Sequence, residues 1–176
     1  MNHSPGPEPR SVALYWDFEN LHASLAEARE PGVYGPGNRF KLQEPLVDVD
    51  AVVKLAATFG PTAINRAFCN WQFFGRYREA LMQNGMDLVQ LFPPGGAAKN
   101  GADIRLCLDA MEDLGRFPHI ATVVIVSGDS DYLPVAQKIK ATGRKLVGVG
   151  TRAATNKHWA GSCDEFRYYE EIVAPA

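Results

Sequence analysis

The sequence predicts an α/β fold, a three-layer sandwich with helices on both faces of a central, mostly parallel sheet of five or six strands. Three observations carry this expectation. Short continuous apolar runs alternate with helix-period segments along most of the chain. The runs lack polar alternation, as strands buried on both faces do. Gly-Pro, Asn-Gly and Thr-Gly pairs punctuate the segments between them. A length of 176 residues with 46% hydrophobic residues suits one domain with a substantial core.

The elements follow in order. Residues 1–10 hold three prolines and read as a disordered tail, leaving 11–176 as a single domain. Val12–Trp16 is a first buried strand, and Leu21–Arg29 a short helix. Pro31–Pro45, with three glycines and three prolines, reads as a loop. Asp48 or Asp50 can cap a helix through Val52, Leu55 and Phe59 that stops at Gly60-Pro61. Thr62–Cys69 is a second strand, Arg76–Gln83 a helix stopped by Asn84-Gly85, and Met86–Phe92 a third strand. After Pro93-Pro94-Gly95-Gly96 a helix runs from about Ala102 to Leu114, with Ile104, Leu108, Met111 and Leu114 on its period. Thr122–Val126 is the most strand-like segment, being rich in β-branched residues. Tyr132–Lys140 is a helix and Lys145–Val149 a fifth strand. Ser162–Val173 can hold a short helix or an edge strand.

Composition excludes several classes. Lys and Arg total 18 against 20 Asp and Glu, giving a net charge of −2 and a pI near 6.1. No global basic excess points to nucleic acid, so such a function has to rest on local chemistry. No apolar run is long enough to cross a membrane, and Met1–Arg10 has no signal-peptide core. Three cysteines without C-x-x-C spacing argue against a disulfide framework or a zinc site and fit a reducing cytoplasm.

In a parallel sheet, ligands bind beyond the carboxyl ends of the strands, at a topological switch point. Three segments deliver carboxylates there. The first strand ends in Asp17, followed by Phe18-Glu19-Asn20. The fourth ends in Ser127-Gly128-Asp129-Ser130-Asp131. Lys99-Asn100-Gly101-Ala102-Asp103 opens a helix. Taken singly, aspartates at such positions are caps or turn residues. Together they repel one another, by about 4 kcal/mol for a pair some 4 Å apart at an effective dielectric near 20. That calls for a cation or an unusual protonation state. Oxygen ligands without His or Cys select a hard ion, Mg²⁺ or Mn²⁺. His3, His22, His119 and His158 are scattered and form no ligand pair, and no G-x-G-x-x-G or Walker loop supports a nucleotide cofactor.

These blocks resemble a known family. Trp16-Asp17-Phe18-Glu19-Asn20, Lys99-x-Gly101-x-Asp103 with Asp109, Ser127-Gly128-Asp129-Ser130-Asp131-Tyr132 and Cys163-Asp164-Glu165-Phe166 occur in the order of the NYN domain, LabA-like (DUF88) group, among the PIN-like nucleases. The resemblance covers about residues 11–170. It implies a PIN-like Rossmannoid fold and a metal-dependent ribonuclease, with Asp17, Asp103, Asp129 and Asp131 as catalytic and Mg²⁺- or Mn²⁺-binding residues. Asn20, Ser127 and Lys99 match as supporting polar groups, and Asp109 as a more distant one. The chain departs from the family at Thr155 and Cys163, positions that bear on substrate contacts.

For an RNA substrate, Arg152, Lys157 and Trp159 are candidate contacts, with Arg105 and Phe18 as weaker ones. Specificity then rests on surface loops, a homodimer or a partner. Two rival readings remain: a non-catalytic adaptor that binds RNA or protein, and a phosphohydrolase acting on a small phosphorylated molecule.

Overall fold

The computed structural model describes residues 10–92 and 101–175. The tail expected at 1–10 falls almost wholly outside these residues, and Lys99 does so entirely. The elements are β1 (Ser11–Asp17), α1 (Phe18–Arg29), α2 (Pro36–Arg39), α3 (Val49–Ala57), β2 (Thr62–Cys69), α4 (Arg78–Gln83), β3 (Asp87–Gln90), α5 (Gly101–Arg116), β4 (Ile120–Val126), α6 (Leu133–Ala141), β5 (Lys145–Gly150), α7 (Lys157–Ser162), β6 (Glu165–Tyr168) and α8 (Tyr169–Ile172). Short 3₁₀ turns at Trp71–Phe73, Gly75–Tyr77 and Ser130–Tyr132 lead into the helices that follow.

The six strands form one sheet in the order β3-β2-β1-β4-β5-β6, and every pairing is parallel. The order reverses direction between β1 and β4, so the crevice beyond their carboxyl ends is the switch point. The segment expected to be a helix or an edge strand supplies both: β6 pairs with β5, and α8 follows it. Helix α2 interrupts the loop expected at Pro31–Pro45.

β1 is buried on both faces, and its side chains alternate between two cores. Val12, Leu14 and Trp16 join α1, α3, α4 and α8 on one side. Ala13 and Tyr15 join Leu106, Ala110 and Leu114 of α5, together with α6 and Trp159 of α7, on the other. By this two-residue alternation Asp17 falls on the α5 side. Two parts of the expected layout are corrected. The period Ile104-Leu108-Met111-Leu114 is only partly the buried face of α5: Leu114 is buried and Met111 packs against the core, but Ile104 and Leu108 are 60% and 64% exposed, and Leu106 and Ala110 fill the core in their place. Phe18, a candidate stacking face, is fully buried among Trp16, Trp71, Phe74 and Tyr77.

Close packing of β5 against β6 requires glycine at Gly148. A Cβ there would stand 2.6 Å from the Phe166 ring and 2.8 Å from Cys163 Sγ. Gly148→Ala forces those groups apart and is expected to cost about 1–3 kcal/mol, or several degrees in Tm. An unchanged thermal midpoint would contradict this packing.

Candidate metal centre at the switch point

β1 delivers Asp17 as its last residue. The side chain does not cap α1, although it occupies the cap position. It is 7% exposed, and its Oδ2 accepts hydrogen bonds from Tyr132 Oη at 3.1 Å and Ser127 Oγ at 3.5 Å. Asp113, another buried aspartate, has an arginine for compensation: it accepts from Tyr15 Oη and pairs with Arg66 at 3.0 Å. Among the described residues Asp17 has hydroxyl groups only. Burial pushes its pKa from an ordinary 3.8 up to about 7, the Tyr132 hydrogen bond opposes the rise, and the charges of Asp103, Glu19 and Asp129 add to it.

The other carboxylates come from the turn after β4 and the first turn of α5. Among the described residues, Asp103, Asp129 and Asp131 each offer a carboxylate oxygen within 4.8 Å of the other two. Asp129 accepts from the Asp131 amide at 3.0 Å, so the cap role expected of an isolated aspartate is real, but it leaves the second oxygen free of that bond. Burial pushes the Asp103 pKa up to about 6, helped by a carboxyl–carboxyl contact with Asp131 and opposed by the Ile104 amide. Two facing carboxyl groups need a proton or a cation between them.

Neighbouring residues fix this geometry. Asn20 Oδ1 accepts from the Gly128 amide at 3.1 Å, tying α1 to the β4 turn. Ser127 Oγ accepts from the Asp129 amide. A Cβ on Gly128 would meet the Ala154 carbonyl oxygen at 2.9 Å and Thr155 Cα at 3.0 Å, so the β4 turn can lie this close to the loop after β5 only with glycine. Trp159 is fully buried, and its indole donates to the Ser127 carbonyl at 2.7 Å. It is therefore a brace beneath the site, and its expected role as an RNA-stacking face is corrected.

Asp17, Glu19, Asn20, Tyr34, Arg39, Asp103 and Asp129 line one cavity of about 250 Å³. The structure thus brings together the predicted Asp17, Asp103 and Asp129, with Asp131 beside them. Other candidates lie elsewhere. Asp109 is occupied by Arg66 at 3.6 Å and Arg105 at 3.1 Å. Arg152 pairs with Glu171 and stacks on Tyr168. Lys157 is exposed at the start of α7, and neither Arg152 nor Lys157 lines the cavity. His22 is a satisfied core histidine bonded to Tyr77 and Gln43. Sequence reasoning missed Glu19, Tyr34, Arg39 and Tyr132. Tyr132 directly follows the Asp129–Asp131 block, and Glu19 stands two residues from Asp17. Tyr34 and Arg39 lie in the long loop, where no periodicity marks them.

The NYN domain family matches residues 11–170. The chain belongs to the NYN family. This is a PIN-like nuclease family, and three aspartates cluster at the switch point of the sheet. A stretch of 104 residues is 30% identical to the uncharacterized protein MJ0482 of Methanocaldococcus jannaschii, covering 59% of this chain and 40% of that protein's length. The fold is similar to the crystal structure of a protein of unknown function, VPA0982, from Vibrio parahaemolyticus. The TM-score is 0.73 at 18% identity, over 96% of this chain and 98% of that one. Among the described residues, no helix is long and apolar enough to cross a membrane.

The raised pKa of Asp17 makes stability depend on pH. Between pH 4 and 7 the folded NYN domain holds a proton that the unfolded chain has lost, so metal-free stability falls as pH rises through this window. The change is on the order of 4 kcal/mol for a shift of this size. Asp17→Asn removes the titration. In EDTA the variant is expected to gain Tm over the wild type at pH 8 and to match it near pH 4. Parallel Tm profiles for the two proteins would contradict the buried, uncompensated carboxylate.

Proposed function

We propose that this NYN domain is a metal-dependent ribonuclease that hydrolyses RNA phosphodiester bonds, leaving 5′-phosphate and 3′-hydroxyl ends. The observation that carries the reading is the convergence of Asp103, Asp129 and Asp131 within 4.8 Å, beside a buried Asp17 that has no cationic partner among the described residues. The donor set fits Mg²⁺ or Mn²⁺: carboxylate oxygens, no His or Cys, and two facing carboxyl groups that repel without a counter-charge. Asp103, Asp129 and Asp131 would hold the ion, with Asp17 on the inner side of the cavity. A bound ion supplies Lewis-acid stabilisation of phosphoryl charge and lowers the pKa of water.

The protein's own groups do the rest. Tyr132 and Ser127 hold Asp17 by Oδ2. That leaves Oδ1 to accept the proton of an attacking water, whose oxygen forms the new bond to phosphorus while the bond to the 3′ oxygen breaks. A base poised near neutral pH suits this transfer. Asn20, bonded to the Gly128 amide, keeps α1 and the β4 turn in register around the reacting phosphate. RNA as substrate, divalent-ion use and the catalytic roles of these aspartates are parts of this one reading.

Cleavage of a labelled single-stranded RNA with Mn²⁺ tests it. Asp129→Asn is expected to lower the rate by about a hundredfold or more, with EDTA abolishing it. Mn²⁺ occupancy, and with it activity, is expected to fall as pH is lowered, because burial raises the proton affinity of Asp17 and Asp103 and protons compete with the ion. Undiminished cleavage by Asp129→Asn would overturn the assignment.

A further inference from the structure

The loop between α1 and α3 is held in place at several points. Glu27 accepts from the Gly32 and Tyr34 amides at 2.8 and 2.9 Å. Further on, the Gln43 amide donates to the Phe73 carbonyl. The Tyr77 hydroxyl accepts from the Leu46 and Val47 amides, so its own hydrogen goes to His22 Nδ1. That leaves a proton on His22 Nε2 to donate to Gln43 Oε1 at 3.2 Å. The loop is a pre-organised strap rather than a slack connection.

Arg39 lines the carboxylate cavity, and the exposed Phe40 follows it in the loop. Arg39 is the only cation lining the carboxylate cavity among the described residues. Its Nε donates to Glu19 Oε1 at 3.0 Å, and Tyr34 Oη donates to the same oxygen at 2.7 Å. This grip uses one edge of the guanidinium and orients the terminal nitrogens, which make no hydrogen bond to the described residues. A partly exposed pair of this kind adds little stability. The Arg39 Cζ lies 5.6 Å from the Phe40 ring centroid. Phe40 is 53% exposed, with its ring fixed edge-on against Phe73 at 5.8 Å. A cation beside an exposed, fixed aromatic face is the pairing that binds single-stranded nucleic acid: one group takes a phosphate and the other stacks a base.

We propose that Arg39 and Phe40 form a substrate subsite at the mouth of the cavity, in which the guanidinium takes a backbone phosphate next to the scissile one and the Phe40 ring stacks the attached base. The proposal rests on the nuclease reading and adds a binding role for the strap. It also accounts for how a chain of net charge −2 can present a cation and a stacking face to RNA beside its carboxylates.

The test separates binding from chemistry. Binding of a fluorescein-labelled oligouridine is measured by anisotropy in Ca²⁺ over a range of salt, and cleavage kinetics are measured in Mn²⁺. Arg39→Ala is expected to weaken binding about tenfold and to reduce the magnitude of the log–log salt slope by about 0.7, the value for one lost phosphate contact on a single strand. Phe40→Ala is expected to weaken binding about tenfold with the slope unchanged. Both should raise KM far more than they lower kcat, while Arg39→Lys recovers the salt slope. Arg116→Ala, a change on the far end of α5, serves as the control, and thermal melting establishes that each variant is folded. Weakened binding with the expected slopes supports the subsite even if no RNA is cleaved, which would sink the nuclease reading alone. Cleavage with KM and slope unaltered in both variants overturns the subsite and leaves the nuclease reading standing. A wild type that binds no RNA overturns both.

Discussion

A carboxylate buried at the end of a central strand, with hydroxyl groups but no cation beside it among the described residues, is the constraint around which the rest of this NYN domain is arranged. Asp17 cannot turn outward, because β1 is packed on both faces and ends at the switch point. Tyr132 and Ser127 stabilise its charge only in part. Asp103, Asp129 and Asp131 then add negative charge to the same crevice instead of relieving it. Asp113 shows what relief looks like in the same core, since Arg66 reaches it directly. The contrast between Asp17 and Asp113 is that of a buried carboxylate without a cation among the described residues and one that an arginine compensates.

Holding like charges together demands rigid surroundings, and the packing supplies them at particular atoms. Gly128 lets the β4 turn lie against Thr155, where any side chain would collide. Trp159 pins that turn from below through the Ser127 carbonyl. Asn20 ties it to α1 from the side. Each of these groups has a place in the hydrogen-bonding pattern that a purely apolar core would not need, and each keeps a carboxylate from swinging away from its neighbours.

Much of this was legible in the residues. Continuous apolar runs, β-branched content and glycine punctuation located five strands, because those signals are local. The residues of β6 fit helix and strand alike, because four residues carry too little pattern and the pairing with β5 is a long-range choice. The three acidic blocks could be read as convergent since a parallel sheet sends every strand's carboxyl end to one edge. Trp159 and Phe18 were misjudged as stacking faces because an aromatic near a site reads the same whether it braces the site from within or lines it from outside; only burial decides. On α5 the core chose Leu106 and Ala110 over Ile104 and Leu108, and Asp103 shares the buried side. Helical period alone does not say which of two neighbouring stripes faces the sheet. Arg39 and Tyr34 were invisible because a loop has no periodicity to read.

The central claim is that the switch-point carboxylates hold a divalent ion. Crystals of the wild-type protein soaked in Mn²⁺ near pH 8, with anomalous data collected at the manganese edge, test it directly. The account predicts a strong anomalous peak coordinated by Asp103, Asp129 and Asp131, and its loss in Asp129→Asn crystals of the same form. Anomalous density absent from this site at pH 8, with the carboxylates resolved in the arrangement described, would contradict it.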